Sequence, residues 1–206
     1  MAYPTYDPKT HVYIAKIVGK AGEGKNILKY LSAVNEHAVK NEPFTQCYYF
    51  ATDNENPEFV WGLELYGSKD ILENKHKKSD RFLDFAGYLS GATEPLAEPL
   101  QLMNYEVVGG FIDKSGDGAN PKTDDQVLYV EYTAKSNPEA LKAQLKVDDN
   151  AETSFIIHSL DNPNLFGTIT RYSKASGVVP QPQAVTDADV KVQRISYSGV
   201  GYLTHP

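Results

Sequence analysis

The sequence predicts an α+β fold made of two tandem βαββ units that close together as one pseudo-dimeric α/β barrel, the second unit lacking its second helix. Three observations predict it: a repeated hairpin, a repeated approach to that hairpin, and a polar linker between the copies. Residues 48–69 read YYFATDNENPEFVWGLELYGSK and residues 156–174 read IIHSLDNPNLFGTITRYSK. Each stretch has an apolar run, a turn with Asp-Asn and Pro, a second run through aromatic-Gly, and Ser-Lys after a tyrosine. The shorter turn of the second copy is what hairpin loops tolerate.

Upstream, Val12-Tyr13-Ile14 matches Leu128-Tyr129-Val130 as the opening strand of each copy. A helix-like segment follows in both, GKNILKYLSAV and NPEALKAQLK. Ile27, Leu31, Val34 and Ala38 recur at helical spacing and give the first helix one buried face. In the second copy Asn137-Pro138 supplies a cap and a first-turn proline. After the hairpin the first copy places Ile71-Leu72 and then Phe82, Phe85, Ala86 and Leu89 at helical spacing, before a last strand near MNYEVVGGF. The second copy has ASGVVPQPQAV there, and its glycine and prolines cannot sustain a helix.

Residues 113–125, DKSGDGANPKTDD, form a linker by composition. The expected division is a ferredoxin-like unit over residues 1–112, the linker, and a degenerate second unit over residues 126–206. Two sheets with helices on one face each leave their other faces bare, and those faces are expected to meet. On the second hairpin strand, Phe59, Trp61, Leu63 and Leu65 are expected under the helices, with Val60, Glu64 and Tyr66 lining the barrel.

The 206 residues suffice for a core without staples, and a single cysteine, Cys47, excludes an internal disulfide and a multi-cysteine zinc site. On a strand it is expected to be a buried, inert thiol. A formal charge of −7 opposes nucleic-acid binding. The opening MAYPTYDPKTH has neither a basic nor an apolar region of a signal peptide, and no stretch is long enough to span a bilayer, so a cytoplasmic protein without a membrane partner is expected.

Two motifs imitate ligand sites. Residues 19–26, GKAGEGKN, fit a phosphate loop except that Asn26 replaces the magnesium-binding hydroxyl, and a hairpin follows where a parallel crossover is needed. Asp113, Ser115, Asp117, Gly118 and Asp124 match the spacing of a calcium loop. Asp124 is short for the usual bidentate Glu and no helix precedes the loop, so a solvated acidic linker is the better reading. The five histidines form no ligand cluster in sequence, and no metal is expected.

The segment ELYGSKDILENKHKKSDRFLDF carries more. Its strand ending in an aromatic, its helix start, and His-x-x-Ser-x-x-Phe at His76, Ser79 and Phe82 resemble the antibiotic biosynthesis monooxygenase family, as do the turn Asn41-Glu42-Pro43 and the Gly-containing turn before the first helix. The likeness covers residues 12–110. It implies a cofactor-independent monooxygenase acting with molecular oxygen on a small lipophilic or aromatic molecule, with no flavin and no metal. Tyr66 stands where the family commonly has Trp, and Phe85 or Ala86 where haem-degrading relatives have their axial histidine.

Within that frame the candidate catalytic residues are His76 as proton shuttle, Tyr66 to orient the substrate oxygen, and Glu64 as an alternative base if burial raises its pKa. Tyr13, Tyr48, Trp61, Phe82 and Phe85 are the candidate pocket walls. The plain alternatives are a solvated histidine in KHKKSD and ordinary aromatic packing. A non-catalytic binder, or a lyase or cyclase on the same barrel, would keep the cavity. The repeat supplies the half that single-unit relatives obtain by dimerising, so the barrel is expected to be complete in one chain, with a homodimer also compatible.

Overall fold

The computed structural model describes residues 10–206; the reading of the opening residues as lacking a signal peptide lies almost wholly outside them. The first unit runs β1 (His11–Val18), α1 (Gly24–Asn41), β2 (Thr45–Asp53), β3 (Phe59–Tyr66), α2 (Lys69–Asn74), a 3-10 turn (His76–Lys78), α3 (Asp80–Leu89) and β4 (Gln101–Phe111). The second runs β5 (Gln126–Ala134), α4 (Pro138–Gln144), β6 (Thr153–Ser159), β7 (Leu165–Tyr172) and β8 (Ala188–Tyr202). Between β7 and β8 only a 3-10 turn, Lys174–Ser176, remains where the second helix would stand.

Within the first unit the strand order is β4-β1-β3-β2, within the second β6-β7-β5-β8, and all pairs are antiparallel. The inner faces meet, as the bare-face argument requires. The edges also join, β2 to β8 and β4 to β6, so the eight strands close into one barrel. Both seams carry a register shift, and both carry a glycine at positive φ, Gly110 at 96° and Gly201 at 102°. A Cβ on Gly110 would sit 1.9 Å from the Ser154 carbonyl oxygen, and one on Gly201 1.8 Å from that of Tyr48. Beside each bulge the seam thus needs glycine both for its backbone angle and for the close approach of the partner strand.

The barrel interior holds an apolar cluster drawn from both units, including Val12, Ile14, Trp61 and Leu63 from the first and Tyr129, Phe155, Ile157 and Ile169 from the second, with the Lys16–Glu131 ion pair at 2.7 Å on the same inner faces. This reverses the expected facing of β3. Trp61, Leu63 and Leu65 point into the barrel, while Val60, Glu64 and Tyr66 lie on the outer, helix-covered side. Seven of the eight β3 residues are buried, so both faces are apolar and hydrophobicity could not tell inside from outside.

The outer side of the first unit is covered by α1 and α3. Ile27, Leu31 and Val34 of α1 pack on Ala15, Phe50 and Val60, with Phe85 of α3 beside them. Tyr30 and Tyr88 stack at 4.3 Å between ring centroids and hold the two helices together.

Both ligand-like motifs are filled by the protein's own side chains. At the phosphate-like loop, Glu58 accepts the Gly22 and Gly24 amides at 2.8 and 2.6 Å. Those backbone donors, Gly24 first, lower its pKa, and the carboxylate stands where a phosphate would. In the linker, Asp117 and Asp125 grip Arg171 of β7 at 2.8 and 2.7 Å, with Asp113 at 4.0 Å. The segment expected to be a solvated linker is therefore partly buried, because a guanidinium that is 1% exposed needs its carboxylates.

Candidate functional site

The helical cover on the outer face of β1, β2 and β3 builds the candidate site. Ser68 accepts the Ile71 amide at 3.4 Å and starts α2; Ser79 accepts the Phe82 amide at 3.3 Å and starts α3. The His-x-x-Ser-x-x-Phe motif is thereby a helix start, with the histidine in the turn before it and the phenylalanine pointing down to the sheet. His76 is fully buried, its ring centroid 5.4 Å from Tyr48, 5.3 Å from Tyr66 and 5.3 Å from Phe82.

His76 Nδ1 lies 2.7 Å from Glu42 Oε2, and the Thr45 hydroxyl donates to the same oxygen at 2.9 Å. Burial pulls the Glu42 carboxyl up, but the hydrogen bond and charge of His76, then Thr45 and His37, outweigh it and the net pKa is lowered. Glu42 is consequently the acceptor and Nδ1 the donor. The pair ties the end of α1 to the turn between α2 and α3. His76 Nε2 and Glu42 Oε1 are buried without a hydrogen-bond partner, although His37 Nε2 approaches Glu42 Oε1 to 3.7 Å.

Beside this pair a cavity of about 40 Å³ opens between sheet and helices. Tyr48, Phe50, Phe82 and Phe85 form apolar walls, Glu64 places a carboxyl in them, and Lys77, Leu100 and Leu102 stand at its outer side. Tyr66 donates to Glu64 Oε2 at 2.7 Å. Burial raises the Glu64 pKa, and it does so against the opposing pull of the His76 charge, the Tyr66 hydrogen bond and Lys77. Burial first, then the Glu64 charge, pushes the Tyr48 and Tyr66 phenols well above their ordinary range, so both stay neutral donors.

Seven of the eight residues read from the sequence come together here. Tyr48, Glu64, Phe82 and Phe85 line the cavity; Tyr66 and His76 support its wall; Tyr13 meets the Tyr66 ring edge-on at 6.2 Å. Trp61 does not belong. It lies inside the barrel, 5.1 Å from the Tyr129 ring, because β3 alternates and Trp61 is odd to Glu64. The site also lies outside the barrel, not in its interior. His76 is neither solvated nor on the cavity surface; through Glu42 it ties the helical cover to the end of α1. His76→Gln, which keeps one N–H for Glu42, is expected to cost about 1–2 kcal/mol and to leave turnover within a few-fold, read by thermal unfolding and initial rates.

Glu42, Lys77, Leu100 and Leu102 were missed. Glu42 reads as part of a turn, and the leucines as an apolar run, with no local signal that they converge. Among the described residues no group of three or more His, Cys, Asp or Glu side chains is arranged to hold a metal ion, and no helix is long and apolar enough to cross a membrane. In the second unit the corresponding outer face holds Leu128, Val130, Tyr132 and Phe166 packed on Leu141.

No family model matches this sequence, and no curated protein does. Among solved structures, a protein of Lactobacillus acidophilus NCFM, provisionally named a monooxygenase, is 15% identical and aligns over 93% of this chain and 97% of its own, with a TM-score of 0.68. A protein of Fusobacterium nucleatum, named in the same provisional way, is 9% identical and aligns over 96% of each chain, with a TM-score of 0.71. The tandem barrel is therefore a fold shared over whole chains of similar length.

Proposed function

We propose that the protein is a cofactor-independent monooxygenase of small lipophilic molecules, with Glu64 as its base. One observation carries the reading: a buried carboxyl of raised pKa, held by Tyr66, in the wall of a small and otherwise largely apolar cavity. The resemblance of residues 12–110 to the antibiotic biosynthesis monooxygenases, and the names of the two full-length neighbours, support oxygen as the second substrate.

Glu64 takes a proton from an acidic C–H of the bound substrate. The carbanion passes one electron to dioxygen, the two radicals join through a new C–O bond, and Glu64 returns its proton to the resulting peroxide anion. The carbon gives up its second hydrogen as a proton while the O–O bond breaks and water leaves, so a CH2 becomes a carbonyl with one oxygen atom in the product and one in water. The protein desolvates the carboxylate, orients the C–H and shields the anion. Tyr66 keeps Glu64 in place, and the second unit closes the barrel, so the active form is a monomer.

Oxygen uptake by metal-stripped protein, offered single-ring quinols and 1,3-dicarbonyl compounds, tests this. One mole of oxygen consumed per mole of substrate is expected. Turnover without oxygen uptake would make the protein a lyase or cyclase, and binding without turnover a carrier.

A further inference from the structure

The cavity around Glu64 is small. At about 40 Å³ it holds about three water-sized groups, since each needs roughly 10–15 Å³ of this space, and a fused ring system does not fit. A compact head of a few heavy atoms does. At its outer side stand two leucines that a soluble domain would ordinarily hide: Leu100 is 42% exposed and Leu102 38%. Leu102 pairs with Ala15 across β1 and β4, on the same outer face that floors the cavity. Lys77 is the cation of the lining, ion-paired to Glu73 at 2.8 Å with its side chain 28% exposed.

These features define one ligand shape. A buried carboxyl faces the head, a lysine lies near enough for its charge to act on that carboxyl, and an apolar ledge continues from the cavity to the surface. We infer that the pocket takes straight-chain amphiphiles, with a compact acidic C–H flanked by carbonyl oxygens entering beside Glu64 and Lys77, and the apolar tail lying outside on Leu100 and Leu102. When Glu64 removes the proton, negative charge moves from its carboxylate to the ligand's oxygens, and Lys77 faces the enolate. The inference rests on this cavity being the reaction site, and it narrows the substrate from lipophilic molecules in general to tailed 1,3-dicarbonyl compounds.

The test is calorimetric binding of acetylacetone and its straight-chain homologues of increasing tail length to the whole protein. Each added methylene is expected to tighten binding about fourfold until the ledge is covered, the value of one buried methylene. In Leu100→Ser/Leu102→Thr the gain per methylene should fall below about 1.5-fold while acetylacetone affinity stays within about twofold; unchanged circular dichroism excludes misfolding, and both leucines are exposed enough to lose without a cavity. The ultraviolet enolate band of the bound parent diketone should weaken in Lys77→Met. If acetylacetone binds but tail length has no effect, or the double variant keeps the full gain, the amphiphile inference is overturned and the oxygenase reading stands. If acetylacetone fails to bind at all and Glu64→Gln leaves oxygen uptake unchanged, both fall.

Discussion

Glu64→Gln is expected to lower turnover by about 10²–10⁴-fold, the usual contribution of a positioned general base, with substrate affinity within a few-fold of the parent. Gln has the size of Glu and can still hydrogen-bond Tyr66, so the loss reads proton transfer and not packing. The pH profile carries a second signature. Only the ionised carboxyl is a base, and burial has raised its pKa, so the acidic limb of turnover should lie above the ordinary carboxylate range. Tyr66→Phe removes a hydrogen bond that favours the ionised form and should move that limb higher still.

Stability should move the other way. A carboxyl whose folded pKa is raised contributes stability that is fully present below its unfolded pKa and is lost as pH rises through the folded value. At neutral pH Glu64 is on the costly side of that window. Glu64→Gln should therefore be more stable than the parent by about 0.5–2 kcal/mol near pH 7, and the advantage should vanish in acid. An inactive but stabler protein is the outcome a base role predicts; an inactive and less stable one would point to lost packing.

Arg171→Met is the largest expected loss of stability, about 3–5 kcal/mol, because it strands the buried carboxylate of Asp125 and removes the partner of the half-buried Asp117. Burial works against the guanidinium's charge, but its hydrogen bonds to Asp117 and Asp125 overcome this and raise its pKa. The Asp117 pKa is lowered, by Arg171 first. A depressed carboxyl contributes stability present above its unfolded pKa and lost as pH falls through the folded one, so the parent should weaken in acid and the variant should lose much of that dependence. Urea unfolding at several pH values reads both. Since Leu203 and Thr204 also donate to the Gly118 carbonyl, the variant should loosen the C-terminal residues along with the linker.

How far the residues could be read shows best in the two hairpins. Matching Gly62 with Gly167 reveals the duplication and hence the barrel, yet the match is one residue out. A Cβ on Gly62 would strike Phe50 on the outer face, whereas one on Gly167 would strike Ile157 in the interior. The same slip sets Tyr13 outside and Tyr129 inside. With a period of two, one residue exchanges the faces, and strands buried on both sides leave no polar stripe to correct it. That is why the sequence alone places Trp61 under the helices and Glu64 in the barrel.

Residues of the candidate cavity are legible in the sequence where a motif or a polar pair marks them. His76, Ser79 and Phe82 stand out through the resemblance of their motif to the antibiotic biosynthesis monooxygenases, and Glu64 because with Tyr66 it makes a polar pair on one face of an otherwise apolar strand. Glu42 was not legible, since its partner is 34 residues away and only the packing of α1 against the helical cover brings them together. The phosphate and calcium imitations are recognisable as incomplete from spacing, but their actual occupants, Glu58 and Arg171, lie on other strands or turns and could not be named.

The two glycine bulges bear on how this protein avoids its neighbours. Among the described residues every strand has a hydrogen-bonded neighbour on each flank once the two seams close, and only part-length edges, such as the first half of β8 beside β5, are left to recruit a strand from another molecule. A side chain at Gly110 or Gly201 would prise a seam open and leave one flank of two strands unpaired at once. The nearest relief would be the matching seam of a second copy, exchanging halves in a swapped dimer. Two residues with no side chain thus stand between a self-contained barrel and one that completes itself at another molecule's expense.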